Sequence, residues 1–347
     1  MCGIVGYVGE KQASDVVIEG LRRLEYRGYD SAGIAVIADG SISSDKRAGK
    51  LANLEKAIVE SPLPESTTGI GHTRWATHGA PNDTNAHPHL GPDDRVALVH
   101  NGIIENFARL RGELQAAGVE QRSETDTEIA AQLLERELGA GADLTTAMQR
   151  VCRRLEGAFT LVAVDGQDPS RVVAARRNSP LVVGLGEGEN FLGSDVAAFI
   201  EHTREALELA QDQVVTITRE GVEVSDFDGN PAEGRRYHVD WDLSAAEKDG
   251  FDWFMRKEIF EQPRAVADSL LGRRGADGLL QLDEMRLSDQ DLRDVDKIVI
   301  IGCGTANYAG LVAKYAIEHW TRIPCEVELA HEFRYRDPIL TRNTLVV

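Results

Sequence analysis

The second residue of the chain, Cys2, constrains the fold more than any other feature. It follows Met1 and directly precedes the apolar segment Gly3-Ile4-Val5-Gly6. Because cysteine is small, we expect Met1 to be removed, which leaves a residue with both a thiol and a free α-amine that titrates near pH ~7.7–8.0. A thiol at neutral pH needs a nearby base to act as a nucleophile, and this residue carries one. The alternative is that Cys2 is an inert, buried apolar residue beside a first strand.

The length and the cysteine content indicate a cytoplasmic chain of two domains. No run of 18 apolar residues is present, and a basic segment followed by an apolar one is absent from the N-terminus, so neither a membrane span nor a secretory signal is predicted. The cysteines are far apart and form no CxxC pair, which favours reduced thiols over disulfides or a zinc site. They are Cys2, Cys152, Cys303 and Cys325.

The charge balance is strongly acidic, with 57 acidic and 38 basic residues and a net charge of −19. A surface of this sign argues against a nucleic-acid partner, which would require a basic face. Only eight of the basic residues are lysines. This composition fits either a protein adapted to concentrated salt or an ordinary acidic protein, and the sequence does not separate the two.

The pattern of apolar segments divides the chain into three parts. Residues 1–224 contain many short strands with alternating polarity and a few helices, which predicts an α+β domain of antiparallel sheets layered with helices. Residues 225–250 are acidic and contain glycine and proline, as is typical of a linker. Residues 251–347 contain a buried strand, a glycine turn and a helix, and they end in mid-pattern, which suggests the truncated start of an α/β domain.

Several polar motifs interrupt the strands of the first part. Asn101-Gly102 follows an apolar run and, taken alone, is a strong hairpin signal. Thr125 and Glu128 form a predicted capping box, in which Asp126 would favour the start of a helix. The segment 85–89 contains two histidines two residues apart, but no cysteine or carboxylate set accompanies them, so no metal site is predicted.

These motifs together resemble the class II glutamine amidotransferases, which are N-terminal-nucleophile hydrolases. The motifs are the N-terminal Cys-Gly-Ile-Val-Gly, residues 25–33, 72–79, 85–89, 100–102 and 124–126. Within this family the chain is most similar to the branch that continues into a sugar-isomerase (SIS) domain. The resemblance implies an enzyme without a cofactor that hydrolyses L-glutamine and transfers ammonia to fructose 6-phosphate, giving glucosamine 6-phosphate and glutamate. It also implies a homodimer at full length, and for this chain alone the glutaminase half only.

The resemblance assigns the catalytic roles to three residues. Cys2 would attack the side-chain amide of glutamine, with its own α-amine as general base. The side-chain amide of Asn101 and the backbone N–H of Gly102 would stabilise the oxyanion of the tetrahedral intermediate.

The resemblance also assigns the glutamine-binding residues. Arg74 would pair with the α-carboxylate, where a planar guanidinium suits a carboxylate. Thr77 and His78 would line the same end, and Asp126 would accept hydrogen bonds from the α-ammonium. Trp75 would gate an ammonia path. His87 matches a family position near the site, without an assigned role.

The second part carries a candidate phosphosugar loop. Cys303, Gly304 and Thr305 match the first phosphosugar loop of the SIS domain, while Ala306 stands where the family usually has serine. A glycine turn before a helix could also open a dinucleotide site, but Asn307 replaces the third glycine of that motif. Two other functions stay open: a different class II amidotransferase, such as amidophosphoribosyltransferase, and a phosphosugar-binding regulator that senses glutamine.

Overall fold

The computed structural model describes residues 2–240, 250–270 and 287–347. The chain forms two compact units, Met1–Glu258 and Ile259–Val347. The predicted linker falls partly on residues 241–249, which lie outside the described residues.

The first unit contains fourteen described strands in two sheets, and every pairing within these sheets is antiparallel. In chain order the strands are β1 (Gly3–Val8), β2 (Ser31–Ala38), β3 (Ser41–Ala48), β4 (Thr68–Arg74), β5 (His89–Leu90), β6 (Val96–Ile104), β7 (Gly157–Asp165), β8 (Asp168–Arg177), β9 (Val182–Leu185), β10 (Asn190–Gly193), β11 (Glu205–Glu208), β12 (Gln213–Thr218), β13 (Val222–Asp226) and β14 (Arg235–His238). One sheet has the order β14-β11-β9-β10-β1-β4-β2-β3 and the other β13-β12-β8-β7-β6-β5.

Helices cover the outer faces of these sheets. They are α1 (Ala13–Leu24), α2 (Leu51–Glu60), α3 (Phe107–Ala116), α4 (Asp126–Gly139) and α5 (Leu144–Arg154), with single 3-10 turns at Glu25–Arg27 and Val196–Ala198. A further helix, α6 (Phe254–Leu270), begins in the first unit and ends in the second.

Strict alternation along the strands produces this layering. On β6, Val96 and Leu98 pack into the core beneath α3, α4 and α5, while Ala97 and Val99 pack against the opposite sheet. Because successive side chains of a strand point to opposite faces, one strand contributes to two cores. The result is four layers, helices–sheet–sheet–helices, which confirms the predicted α+β arrangement.

One strand lies within the segment predicted as a linker. β14 pairs with β11, and its basic residues face acidic ones: Arg235 lies opposite Glu208 and His238 opposite Glu205. Cross-strand pairs of opposite charge stabilise a sheet edge. The linker was predicted from its acidic residues, glycine and proline, and that composition does not reveal such pairs. Residues 235–238 therefore belong to the first unit, and the domain boundaries at 224 and 250 remain a prediction.

The second unit contains a small parallel sheet. Its central strand β15 (Lys297–Gly302) pairs with β16 (Cys325–Leu329) on one side and with β17 (Thr344–Val346) on the other. The helices are α7 (Asp289–Arg293), α8 (Thr305–Thr321) and α9 (Ala330–Tyr335). Parallel strands with α8 between β15 and β16 agree with the predicted start of an α/β domain.

Candidate functional site

The site lies where strands of the two sheets of the first unit approach each other. β1 and β4 are antiparallel neighbours, and Gly3 is paired with Thr73. Cys2, just before β1, is therefore adjacent to Arg74, the last residue of β4. The space next to Gly3 is closed, since a Cβ there would lie 2.5 Å from the hydroxyl of Thr73. The strand pairing thus fixes the position of Cys2.

The thiol of Cys2 is held by the backbone of Trp75. The N–H of Trp75 donates to Sγ at 3.1 Å, and the thiol lies 3.5 Å from the Trp75 carbonyl oxygen. Burial raises the pKa of the Cys2 thiol, and the hydrogen bond from Trp75 only partly opposes this. The neutral thiol is favoured, so a nucleophilic role for Cys2 would require a base that removes its proton during attack.

Asn101 and Gly102 lie within β6 and form no hairpin turn. Asn101 pairs with Thr160 and Gly102 with Phe159 of β7, and the strand continues to Ile104. Gly102 has φ +123°, and a Cβ there would lie 2.0 Å from the carbonyl oxygen of Ala158. Only glycine fits this backbone. The hairpin suggested by the dipeptide is therefore excluded.

The side-chain amide of Asn101 is oriented by partners on both sides. Its Nδ2 donates to the carbonyl oxygen of Cys2 at 3.0 Å. Its Oδ1 lies 3.0 Å from Nε2 of His72. The N–H₂ group therefore points towards Cys2, the candidate nucleophile, which is the orientation that oxyanion stabilisation would require.

Arg74 is buried, and its guanidinium contacts backbone carbonyls of the following loop. It donates to the carbonyl oxygens of His78, of Gly79 at 3.3 Å and of Ala80 at 3.5 Å. Burial lowers the pKa of Arg74, with Cys2 and Asp126 acting against this shift. An arginine surrounded by carbonyl dipoles in a partly dry site is suited to a carboxylate ligand.

Asp126 is the first residue of α4 and is buried beside the same cavity. Its Oδ2 accepts the N–H of Ile104 at 2.8 Å, and Oδ1 lies 4.0 Å from Nδ1 of His100. Thr125 is the N-cap, as predicted, but the capping box is only half formed. Glu128 instead accepts the backbone N–H groups of residues 122 and 123 at 2.6 and 2.7 Å.

A cavity of about 390 Å³ connects most of the predicted residues. Of these, it is lined by Cys2, Arg74, Trp75, Thr77, His87, Asn101, Gly102 and Asp126. His78 is not among the lining residues. Its ring packs edge-on against Phe107 at 5.1 Å, and only its carbonyl contacts Arg74. Sequence reasoning did not identify the wall formed by residues 178–180, which come from the loop after β8.

A histidine network that motif reasoning left without a function forms part of the cavity wall, through His87, His100 and two threonines. Its members are His72, His87, His89, His100, Thr125 and Thr127. Nε2 of His87 and Nδ1 of His100 lie 2.8 and 2.9 Å from the hydroxyl of Thr127. His89 makes the equivalent contact with Thr125 at 3.1 Å. Within residues 2–240, 250–270 and 287–347 no three histidine, cysteine or carboxylate side chains are grouped to hold a metal.

Burial keeps these four histidines neutral. It lowers the pKa of His72 to about 3, and it lowers those of His87, His89 and His100 as well. Arg74 adds to the effect at His72, and Lys46 adds to it at His89, while Asp126 opposes it at His100. Neutral rings with one N–H each form directional hydrogen bonds.

The candidate phosphosugar loop is in the second unit, between β15 and α8. Gly304 has φ +57° and is the N-cap of α8, with Thr305 as the first helical residue. The three loop residues are exposed. Sγ of Cys303 lies 3.6 Å from Nδ1 of His331. Ala306 adds no hydroxyl to the helix start, where backbone N–H groups favour anions.

Family models match both units. Residues 72–201 match the glutamine amidotransferase domain, and residues 291–347 match the SIS domain. Across the part of the chain that the structure describes, none of the helices has the length and apolar character needed to cross a membrane.

The curated relatives match over the whole chain. Glutamine--fructose-6-phosphate aminotransferase [isomerizing] of Streptomyces coelicolor is 68% identical over 347 residues, which is 100% of this chain and 56% of the relative. The proteins of the same name from Corynebacterium efficiens and Mycobacterium tuberculosis are 63% and 60% identical, each over 100% of this chain and 57% of the relative. The chain thus spans little more than half the length of the curated relatives it matches.

Solved structures share the fold. Glutamine phosphoribosylpyrophosphate amidotransferase from B. subtilis has a TM-score of 0.58 at 19% identity, covering 94% of this chain and 65% of that one. A structure titled as the allosteric regulatory enzyme of purine biosynthesis has a TM-score of 0.59 at 20% identity, with the same coverage. The chain therefore contains a glutamine amidotransferase domain and SIS-domain residues, and along its whole length it is a relative of the glutamine–fructose-6-phosphate aminotransferases.

Proposed function

We propose that the first unit hydrolyses L-glutamine to glutamate and ammonia, with Cys2 as the nucleophile. The observation that carries this proposal is the cavity of about 390 Å³ that contains the Cys2 thiol, the Asn101 amide, Arg74 and Asp126. A nucleophile, an oxyanion donor, a cation and an anion thus line one space. Free glutamine presents a complementary set: an amide, a carboxylate and an ammonium.

The reaction begins with attack of Sγ of Cys2 on the side-chain amide carbon of glutamine. The α-amine of Cys2, free once Met1 is removed, takes the thiol proton. The carbonyl oxygen becomes an oxyanion, which the Nδ2 group of Asn101 and the N–H of Gly102 stabilise. The C–N bond then breaks, the ammonium of Cys2 protonates the leaving nitrogen, and a thioester remains. Water attacks the thioester, which releases glutamate and restores the thiol.

Arg74 and Asp126 bind the other end of glutamine. The guanidinium pairs with the α-carboxylate, and the carboxylate of Asp126 accepts from the α-ammonium. Thr77 and His78 belong to the loop on the same side. The Arg74 contacts with the carbonyls of His78, Gly79 and Ala80 are long or shared, so a carboxylate can replace some of them.

We further propose that the longer protein delivers this ammonia to fructose 6-phosphate and forms glucosamine 6-phosphate. The names of relatives at 58–68% identity support this step. Cys303, Gly304 and Thr305 would contribute backbone and hydroxyl donors to the sugar phosphate. Ala306 would contribute no hydroxyl, unlike the serine that the family usually has there. Trp75, 47% exposed and packed edge-on against Tyr29 at 5.4 Å, would gate the ammonia path. The protein would act in the cytoplasm as a homodimer, which sedimentation of the full-length protein tests.

A different class II amidotransferase is the alternative that the fold favours. The likeness to phosphoribosylpyrophosphate amidotransferase concerns the fold, at 19% identity. The match of residues 291–347 to the SIS domain supports the sugar-phosphate acceptor instead. A glutamine-sensing regulator would have no use for the thiol of Cys2 in the cavity.

Two assays on one sample test the proposal. We expect the 347-residue chain to release glutamate from glutamine and to form no glucosamine 6-phosphate, because the residues proposed to bind glutamine line one cavity, whereas the three residues of the candidate sugar loop are exposed. Intact mass of the active protein should show a chain that begins at Cys2. Retained Met1 in active protein would exclude the α-amine as base, and the absence of glutamate release would contradict the proposed function.

A further inference from the structure

The buried ring of His72 connects the two sheets at the oxyanion end of the cavity. His72 lies on β4, and its Nε2 is 3.0 Å from Oδ1 of Asn101 on β6 of the other sheet. The same nitrogen is 3.0 Å from the carbonyl oxygen of His100. The ring is almost completely buried, at 1% exposure, so no solvent competes for these contacts.

The two partners determine which nitrogen of His72 carries the proton. Carbonyl and amide oxygens accept hydrogen bonds and donate none, so Nε2 must be the donor to both. Nδ1 then carries a lone pair, and this buried atom has no hydrogen-bond partner among the described residues. Within the described residues, His72 therefore makes its hydrogen bonds through Nε2, and the hydrogen-bonding capacity of Nδ1 is not used.

The Asn101 amide would clash with its surroundings in the reverse orientation. A rotation by 180° would bring Oδ1 towards the carbonyl oxygen of Cys2, where Nδ2 now donates at 3.0 Å. It would also direct the amide N–H₂ towards the Nε2–H of His72. Each change replaces a donor–acceptor contact with a repulsive one.

Stacking holds the ring of His72 in this plane. The ring of His87 lies over it with centroids 4.2 Å apart and an interplanar angle of 28°. His87 is itself anchored through Nε2 to the hydroxyl of Thr127 at 2.8 Å. The donor of His72 is therefore aimed by packing as well as by hydrogen bonding.

We propose that His72 is a positioning residue that fixes the Asn101 amide with its N–H₂ group towards the Cys2 nucleophile, so that the oxyanion donor is aligned before glutamine binds. His72 contributes through Asn101 and does not itself touch the substrate. The inference rests on the proposed glutaminase function and assigns a role to a residue outside the predicted set.

The experiment measures glutamate release by His72→Phe, by His72→Gln and by each change combined with Asn101→Ala. We expect His72→Phe to lower kcat by about 10²-fold, the scale of losing one oxyanion donor. KM for glutamine should change by less than about threefold, because binding does not use this hydrogen bond. His72→Gln retains an N–H near the position of Nε2 and should recover kcat to within about tenfold of the wild-type value.

The double variants separate positioning from structural damage. In the Asn101→Ala background, His72→Phe should change kcat by less than about threefold, because no amide remains to be aligned. An equal loss of kcat in both backgrounds would overturn the proposal, as would a wild-type kcat for His72→Phe. If His72→Phe does not fold, His72→Gln and the shorter His72→Asn replace it, and equal kcat values for those two would count against positioning.

Glutamate release by the wild type and by Cys2→Ala shows whether the His72 proposal alone has failed or the proposed glutaminase function has failed as well. Glutamate release that Cys2→Ala abolishes establishes the reaction, and additive His72 and Asn101 effects would then reject His72 alone. Release that Cys2→Ala leaves intact would reject the proposed function and the inference together. His89→Gln is the matched control: it changes another buried histidine of the network, 3.1 Å from Thr125, that has no contact with Asn101.

Discussion

The two ends of the proposed glutamine cavity are constructed differently. At the oxyanion end, Asn101 lies within a strand and its amide has a partner on each side, Cys2 and His72. At the other end, Arg74 contacts loop carbonyls that glutamine would partly replace. The oxyanion end is therefore organised before substrate arrives, whereas the carboxylate end must exchange partners. Preorganised donors act on the transition state, and exchanged ones act mainly on binding.

Loss of the nucleophile should have the largest effect. Cys2→Ala removes the atom that forms the thioester, so we expect no glutamate release above background. Cys152→Ala is the matched control, because this residue of α5 is buried in the core between the helices and the sheet and does not line the cavity. That variant should keep most of the activity. If Cys2→Ala released glutamate at the wild-type rate, the reaction would not proceed through a Cys2 thioester, and the comparison of the two ends of the cavity would lose its basis.

Loss of one oxyanion donor should come next. Asn101→Ala should lower kcat by about 10²–10³-fold while KM for glutamine stays within a few-fold, since the donor is used when the oxyanion forms. Steady-state kinetics of glutamate release give both constants. A rise in KM at constant kcat would place Asn101 at the binding end and reverse the comparison.

The opposite pattern should follow a change at the binding end. Asp126→Asn keeps the volume and leaves an oxygen for the N–H of Ile104, but it removes the charge that would face the α-ammonium. We expect KM for glutamine to rise about tenfold or more, with kcat within about threefold.

A matched control distinguishes the loss of glutamine binding in Asp126→Asn from the general effect of removing a carboxylate at the start of a helix. Asp143→Asn affects the N-cap of α5, which accepts the N–H of Thr146 at 2.7 Å away from the cavity. Its KM should be unchanged. A large fall in kcat for Asp126→Asn at unchanged KM would instead mean that Asp126 serves the chemical step.

The sequence predicted the layered sheets and most of the cavity residues, but it did not predict the contacts between distant segments that hold those residues in place. The apolar runs of β6 and β7 are a local signal, and they were enough to predict two strands. The Asn101-Gly102 dipeptide suggested a hairpin because the local sequence does not reveal the close approach of Gly102 to Ala158, a residue of another strand and 56 positions later. His72 and Asn101 meet across two sheets, so no spacing along the chain reveals their hydrogen bond. β14 was missed because its partners are charges on β11.

Acid should produce the smallest effect and should act through the histidine network. The four buried histidines have lowered pKa values, about 3 for His72. The unfolded chain, with ordinary histidines near pKa ~6.5, therefore binds more protons than the folded chain between about pH 6.5 and 3. The stability of the first unit should fall as pH decreases through this window.

The contribution of one histidine, His89, to this pH dependence of stability can be removed by mutation. His89 is buried beside Lys46 and Arg74, which both disfavour its charged form. In His89→Gln, the slope of unfolding free energy against pH should decrease by about 1.4 kcal/mol per pH unit below pH 6, which corresponds to one proton. Urea unfolding of wild type and variant at several pH values measures this slope. Identical slopes would mean that His89 is protonated in the folded chain, and a charged ring there would be incompatible with the neutral network behind Asn101.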